Sequence, residues 1–451
     1  MYSRAPLPVI IDTDPGVDDV IALLLALTVP DLVVVGLTLT HGNCSLESTE
    51  KNLAKMFYAI ERHAEAHPES ERWSRLFDRE RRRTSAGPGA ETIRVWRGSS
   101  GPIHGPPVTA KYFHGQDGLA NCETLYPELT PPPSYRSNLY TLCPESAQEG
   151  ITRLVSSWPP GHRKPSYIAL GPLTSLAQLS TSLNLGQSFE TILSMGGAVE
   201  HAGNTTPVAE FNYYADPWAA RTVFSLALPN LYIFPLDLTS YLTLPFSLYE
   251  SAVDPTFSSR RDRCSHPSES SDDPLVRFTT SFLRGTRDVM ETFGGDAMEL
   301  HDPTVVFALI ERSRSVNGCY DEAEQVDYLR PPNGRKGTFA TDWEWRQVDF
   351  DVECDGTLTR GMLVVDRRAS ATAPASITNR TGETNRAVAV AALDVAEVEA
   401  RHAELRDDDD ATDKPRPRCG ARVVVTSPGS DVMRNELLKR VWGVASKWTC
   451  Y

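Results

Sequence analysis

Val9-Ile10-Ile11-Asp12-Thr13-Asp14-Pro15-Gly16-Val17-Asp18-Asp19-Val20-Ile21-Ala22-Leu23-Leu24-Leu25-Ala26-Leu27 is the stretch whose reading decides the fold. Val9 to Ile11 are β-branched and apolar, so they make a short strand buried on both faces. Pro15-Gly16 turns the chain, and an apolar run of helical length follows. A buried strand that passes straight into a helix predicts an α/β fold: an open, mostly parallel sheet flanked by helices. In such a sheet ligands gather at the C-terminal ends of the strands, which is where Asp12, Asp14, Asp18 and Asp19 stand. Like charges this close resist ionising together, and a bound metal or a shared proton would offset the repulsion. A capped helix with acids in its first turn is the plain structural alternative, but capping uses one acid, occasionally two.

Outward from this stretch, Leu32 to Thr40 reads as a second buried strand, ending in His41-Gly42-Asn43. Asn43 is thereby aimed at the same rim as Asp14. A helix is expected from about Ser48 to Ala66, and residues 67–92, with a basic run and a Gly-Pro-Gly break, read as a surface insertion. His114-Gly115-Gln116-Asp117-Gly118-Leu119 places a histidine among turn-forming glycines. Ser166 to Leu170 and Glu190 to Met195 are further strands, each followed by glycine. Glu210-Phe211-Asn212, read as extended chain, puts Glu210 and Asn212 on one side. Thr243-Leu244-Pro245 is expected to open a helix, 254–274 to be a second insertion, and Leu275 to Phe293 a helix. His301-Asp302-Pro303 starts another helix, 351–366 forms a hairpin, and Val388 to Asp394 is a late strand. The 400–420 stretch is a third insertion, with 404–418 polar and unstructured, and Asp431 to Gly443 is a final helix. The whole is read as one domain of 451 residues.

A formal net charge of −14 disfavours nucleic acid as a partner, because phosphate contacts need a basic surface. No apolar run is long enough to span a bilayer, and the N-terminus lacks the apolar core of a secretory signal, so a cytoplasmic location is expected. Eight cysteines form no C-x-x-C pair, which argues against zinc and against a disulfide framework. Asp14, Asp18, Asp19 and Asp302 offer oxygen alone, a set that suits calcium or magnesium. Asn43, Asn204, Glu210 and Asn212 add the hydrogen-bonding groups that hold several hydroxyls at once, as a sugar requires.

Asp12 to Asp19, with His41-Gly42-Asn43 one strand later, resembles the N-terminus of the inosine-uridine preferring nucleoside hydrolases. Matching elements follow in order: the His114 loop, Leu170-Gly171-Pro172, Met195-Gly196-Gly197, Gly203-Asn204, Glu210-Phe211-Asn212, His301-Asp302-Pro303 and Thr359-Arg360-Gly361-Met362. The resemblance implies Ca²⁺ held by Asp14, Asp19, the Leu170 carbonyl and Asp302, with Asp14 also deprotonating the attacking water. Asp18, Asn43 and Asn212 would hold the ribose 2′ and 3′ hydroxyls, Asn204 and Glu210 the 5′ hydroxyl, and Met195 would belong to the same ribose site. His114 would border the base, and with His301 it would activate the leaving group, as a comparable pair does in the pyrimidine-preferring branch. The partner is then a small nucleoside, and a homo-oligomer, dimer or tetramer, is expected. Two rivals stand beside this reading. Ile11-Asp12-Thr13-Asp14 also resembles the D-x-D nucleophile motif of haloacid-dehalogenase-like phosphohydrolases, and a nucleoside-binding protein without catalysis would keep the same residues.

Overall fold

In β1 (Leu7–Thr13) and β2 (Leu32–Leu39) every residue is buried, as apolar strands covered on both faces must be. The computed structural model describes residues 6–86, 90–257, 271–315, 336–365, 367 and 419–444. Side chains of β1 alternate between two cores: Val9 and Ile11 join one, Ile10 joins the other with Tyr167, Leu173 and Phe189. In β2 the alternation changes parity, because Leu32 and Val34 share a face with Leu37 and Leu39. The cause is a bulge: Val9 pairs with Val34 but Ile10 with Gly36, so Val35 is the extra residue. Gly36 then lies under Trp96, where an added Cβ would come within 2.5 Å of the indole.

The remaining strands are β3 (Ile93–Arg97), β4 (Tyr140–Ser146), β5 (Ser166–Ala169), β6 (Ile192–Met195), β7 (Leu231–Phe234), β8 (Thr243–Pro245), β9 (Ala297–Glu299), β10 (Lys336–Ala340), β11 (Trp343–Val352), β12 (Leu363–Val365) and β13 (Cys419–Val424). The main sheet runs β10-β11-β13-β7-β6-β5-β1-β2-β3-β4, parallel from β13 to β4, with β12 on β11. β1 is flanked by β2 on one side and by β5 on the other, so the strand order reverses beside it. That reversal opens a crevice at the carboxyl ends of β1 and β5, where open α/β sheets bind ligands.

Helix α1 (Val17–Thr28) is buried along its whole length, as its apolar composition on all sides requires. It packs on the helix His301–Ser315. Ser45 caps α2 (Leu46–Ala66), its Oγ accepting from the Ser48 amide, and α2 packs on the helix Pro274–Thr292.

Within 67–92, the stretch expected to be a surface insertion, the chain is helical and partly buried. It forms helices Glu71–Phe77 and Arg79–Ala86, with Trp73 and Leu76 in the core. Arg82, inside the basic run, is buried and donates to the Val34 and Ala90 carbonyls. Thr243–Pro245 is a strand paired antiparallel with β9, and its helix begins only at Phe246. Asp254 and Phe257 are buried, so the second expected insertion starts with packed residues; 258–270 lie outside the described residues.

An antiparallel edge of β10, β11 and β12 completes the sheet. Phe350 of β11 pairs with Val365 at the end of β12 on one side and with Cys419 at the start of β13 on the other. The chain divides into two compact units, Met1–Val365 with Cys419–Tyr451, and Asp366–Arg418. Of the second only residue 367 is described, so the strand expected at 388–394 and the unstructured 404–418 lie outside the described residues. Among the described residues no helix is long and apolar enough to cross a membrane.

Candidate active site

The end of β1 at Thr13 and the start of α1 at Val17 separate the four N-terminal acids. Asp12 lies on the Ile10 face, fully buried, where its Oδ1 accepts from Ser175 Oγ at 3.2 Å. Burial pushes its pKa up to about 8. Asp14 has passed the end of β1 and is wedged between glycines: a Cβ on Gly42 would come within 2.0 Å of its Oδ2, and one on Gly171 within 2.6 Å of Oδ1. The Asn43 amide donates to Asp14 Oδ2 at 2.6 Å, while Oδ1 is buried without a hydrogen-bond partner.

Asp18 and Asp19 occupy the first turn of α1. Asp19 accepts from Thr13 Oγ1 (2.6 Å), the amides of Asp14 and Gly16 (both 3.1 Å) and Asn43 Nδ2 (2.8 Å). These four donors pin the Pro15-Gly16 turn to the helix. Asp18 Oδ1 is buried and unpartnered. Asp302, in the first turn of the neighbouring helix, closes the group: ligand atoms of Asp18, Asp19 and Asp302 lie within 4.8 Å of one another. Burial first, then mutual repulsion, raises Asp14 and Asp302 well above the carboxylate range and Asp18 to about 7. Orphaned buried oxygens, crowded acids and an all-oxygen donor set fit a hard metal cation, which would neutralise the charge that burial penalises.

Strands β5 and β6 bring the neutral groups. Asn212 Nδ2 donates to the Leu170 carbonyl at 2.6 Å and to the Met195 carbonyl at 3.3 Å, joining both strand ends. Glu210 and Asn212 do not alternate in a strand. Glu210 caps the short helix Phe211–Ala215, its carboxylate accepting from the amides of Asn212, Tyr213 and Gly197. A capping carboxylate folds back over the first turn, so both side chains share one site by a route the extended reading did not contain.

The histidines differ in state. His114 is buried, and its Nδ1 accepts from the Val17 amide at 3.2 Å. Burial depresses its pKa to about 3, so the ring is neutral and carries its proton on Nε2. In His301 burial acts to lower the pKa, yet the hydrogen bond and charge of Glu299, with Asp18 and Glu210, raise it overall. Its Nε2 is 2.9 Å from Glu299 Oε2 and its Nδ1 2.8 Å from Thr239 Oγ1. One ring is thus a neutral donor and the other favours the imidazolium.

The sequence profile of the family described as inosine-uridine preferring nucleoside hydrolase matches residues 9–72 and 79–400. The chain belongs to this family. Probable uridine nucleosidase 2 of Oryza sativa subsp. japonica is 30% identical over 305 residues, covering 67% of this chain and 73% of that protein. The pyrimidine-specific ribonucleoside hydrolase RihA of Klebsiella pneumoniae subsp. pneumoniae is 28% identical over 361 residues, 80% of this chain and 88% of that protein. A solved plant nucleoside hydrolase shares the fold with a TM-score of 0.59 at 21% identity, covering 97% of this chain and 99% of that one.

As a nucleoside hydrolase, the protein gathers Asp14, Asp18, Asp19, Asn43, His114, Leu170, Met195, Glu210, Asn212, His301 and Asp302 around one rim. Asn204 stands at its exposed edge, its Oδ1 accepting from the Phe211 amide at 2.9 Å. Asp12, the nucleophile of the phosphohydrolase rival, faces the wrong layer for that role. Sequence reasoning missed Glu299 and Thr239, which hold His301, and Asn52 of α2, whose Nδ2 donates to the carbonyls of Pro15 (3.0 Å) and Asp117 (2.7 Å). Only Glu299 carried a signal, two residues before His301; the others lie far from their partners in sequence.

Proposed function

We propose that the protein hydrolyses the N-glycosidic bond of ribonucleosides in a Ca²⁺-dependent reaction, preferring uridine-like over inosine-like substrates and releasing free base and ribose. The observation that carries the reading is the meeting of the buried acid group with Asn43, Glu210 and Asn212 at the switch point of the sheet. Calcium is favoured over magnesium because Asp14, Asp19, Asp302 and a backbone carbonyl such as Leu170 suit its larger, more flexible shell. When bound, the cation would supply positive charge that acidifies a water beside Asp14.

Asp14 takes the proton of the water that attacks C1′ on the face away from the base. Asp14 is suited to that transfer by position: it lies at the end of β1 with Oδ1 buried and free of a hydrogen-bond partner. Asp18, Asn43 and Asn212 hold the 2′ and 3′ hydroxyls, Met195 packs beside them, and Glu210 and Asn204 take the 5′ side. As the C1′–N bond breaks, its electron pair passes to the base, which needs a proton or a hydrogen bond in return. His301 supplies the proton by exchanging its contact with Glu299 or Thr239 for the base, and the neutral His114 supplies a hydrogen bond. Two relatives named for uridine and pyrimidine substrates support the preference.

A ribose-release assay across uridine, inosine and other nucleosides, run with and without chelator, tests the reading. Release strongest from uridine and lost on chelation is expected. Full activity after exhaustive chelation would remove Ca²⁺ from the scheme, and a panel with no release would leave only nucleoside binding.

A further inference from the structure

Helix α2 ends in an imidazole pair that lies outside the acidic rim. His63 and His67 stand one turn apart with ring centroids 4.6 Å from each other. Asp273 faces both. Its Oδ1 caps the helix Pro274–Thr292 through the amides of Leu275 and Val276 and lies 2.9 Å from His63 Nδ1. Its Oδ2 lies 3.2 Å from His67 Nε2. Ligand atoms of the three residues fall within 4.8 Å of one another.

We propose that His63, His67 and Asp273 form a second metal site, one that takes a borderline transition cation, Zn²⁺ foremost, and fastens α2 to the helix Pro274–Thr292. Two imidazoles and one carboxylate make the three-ligand set zinc accepts, with the fourth position left to water. His67 and Asp273 are partly exposed, so an ion can reach the site, whereas His63 is buried. Glu69 Oε1 lies 3.6 Å from His67 Nδ1, the nitrogen turned away from Asp273. The negative charge of Glu69 on that side favours a proton on Nδ1 over one on Nε2, the nitrogen that faces Asp273. His63 Nε2 is buried without a partner, near the Trp73 ring. Metal on Nδ1 would leave Nε2 as a neutral N–H against the Trp73 side of the core. The carbonyl end of α2 adds a favourable dipole. Arg72, the nearby cation, is occupied by the carbonyls of Arg440 and Val441. Imidazole ligands disfavour calcium, so the two sites are sorted by ligand softness.

The full-length protein, stripped by chelator and saturated with Ca²⁺, is titrated with Co²⁺ followed by visible absorption and with Zn²⁺ by calorimetry. One equivalent of each metal is expected beyond the calcium, with Zn²⁺ raising Tm. His67→Gln and Asp273→Asn, the second of which still caps its helix, should each weaken that binding by more than about tenfold. Both should leave ribose release unchanged and abolish the Tm rise. No binding by the wild type, or binding undiminished in both variants, overturns the site and leaves a proton-bridged contact between two helices.

Discussion

Asp14 and Asp12 are two residues apart and opposite in circumstance: one is aimed into the rim between glycines, the other is packed in the layer beneath. Asp14→Asn removes the proposed base and should cut kcat by at least about 10³-fold, a loss in the range of a missing general base or more. Asp12→Asn keeps the shape and the Ser175 contact, and should stay within about tenfold of wild type in the same assay. The raised pKa values of Asp18, Asp14 and Asp302 set the sign of a pH effect. Acids that hold protons near neutrality must release them to a cation, so Ca²⁺ affinity should rise with pH through about 7, where Asp18 titrates. Calorimetry in buffers of different ionisation enthalpy would read the released protons; affinity independent of pH would contradict the assignment. His301→Ala should lower kcat for uridine by roughly 10²-fold or more, and far less for a nitrophenyl riboside whose leaving group needs no proton. His114→Ala removes a neutral donor, and the same pair of substrates should show a smaller split. Equal losses on both substrates would make the two histidines pocket walls.

At the scale of elements, what the sequence made legible was periodicity close to the chain. The apolar runs of β1 and β2 and the DTDPGVDD turn identify a parallel sheet with acids at its rim, because a strand buried on both faces has no polar alternation to confuse it. The bulge at Val35 was not legible, since it is set by pairing across strands and not by local pattern. Glu210-Phe211-Asn212 read as extended chain because alternation alone cannot reveal that a carboxylate will cap a helix. Trp73 and Arg82 were hidden within 67–92, a stretch whose basic run suggests solvent. Asn52 is the clearest case of information held only in space. From one face of α2, a single amide ties the Pro15 turn that carries Asp14 to the Asp117 loop that carries His114. Asn52→Ala should destabilise the fold by only about 1–3 kcal/mol, the worth of the lost hydrogen bonds. It should nonetheless lower kcat more than it raises KM, because Asp14 and His114, the proposed base and leaving-group donor, would lose their common register. A parallel change in Tm and activity, with no kcat-against-KM split, would reduce Asn52 to a packing residue.

For the molecule as a whole, the shared pairing of Phe350 with Val365 and Cys419 has a thermodynamic meaning. Two strands on either side of β11 are separated by about 10 Å, twice the strand spacing. The chain between them can therefore be replaced by a linker of roughly five residues, since each spans about 3.3–3.6 Å. Exchange of residues 366–418 for such a Gly/Ser linker should preserve ribose release within a few-fold, and an activity loss of orders of magnitude in a folded variant would show that this unit shapes the substrate site. Among the described residues, register on both sides of β11 is held by the pairs Phe350–Val365 to Val352–Leu363 and Trp345–Val424 to Phe350–Cys419. The entropy of closing the intervening loop grows only as the logarithm of its length, about 0.6 kcal/mol for each doubling. A segment spliced in at this point can lengthen, shrink or diverge at almost no thermodynamic penalty to the enzyme, so the edge of the sheet is a place where new sequence can accumulate while the chemistry at β1 is left unchanged.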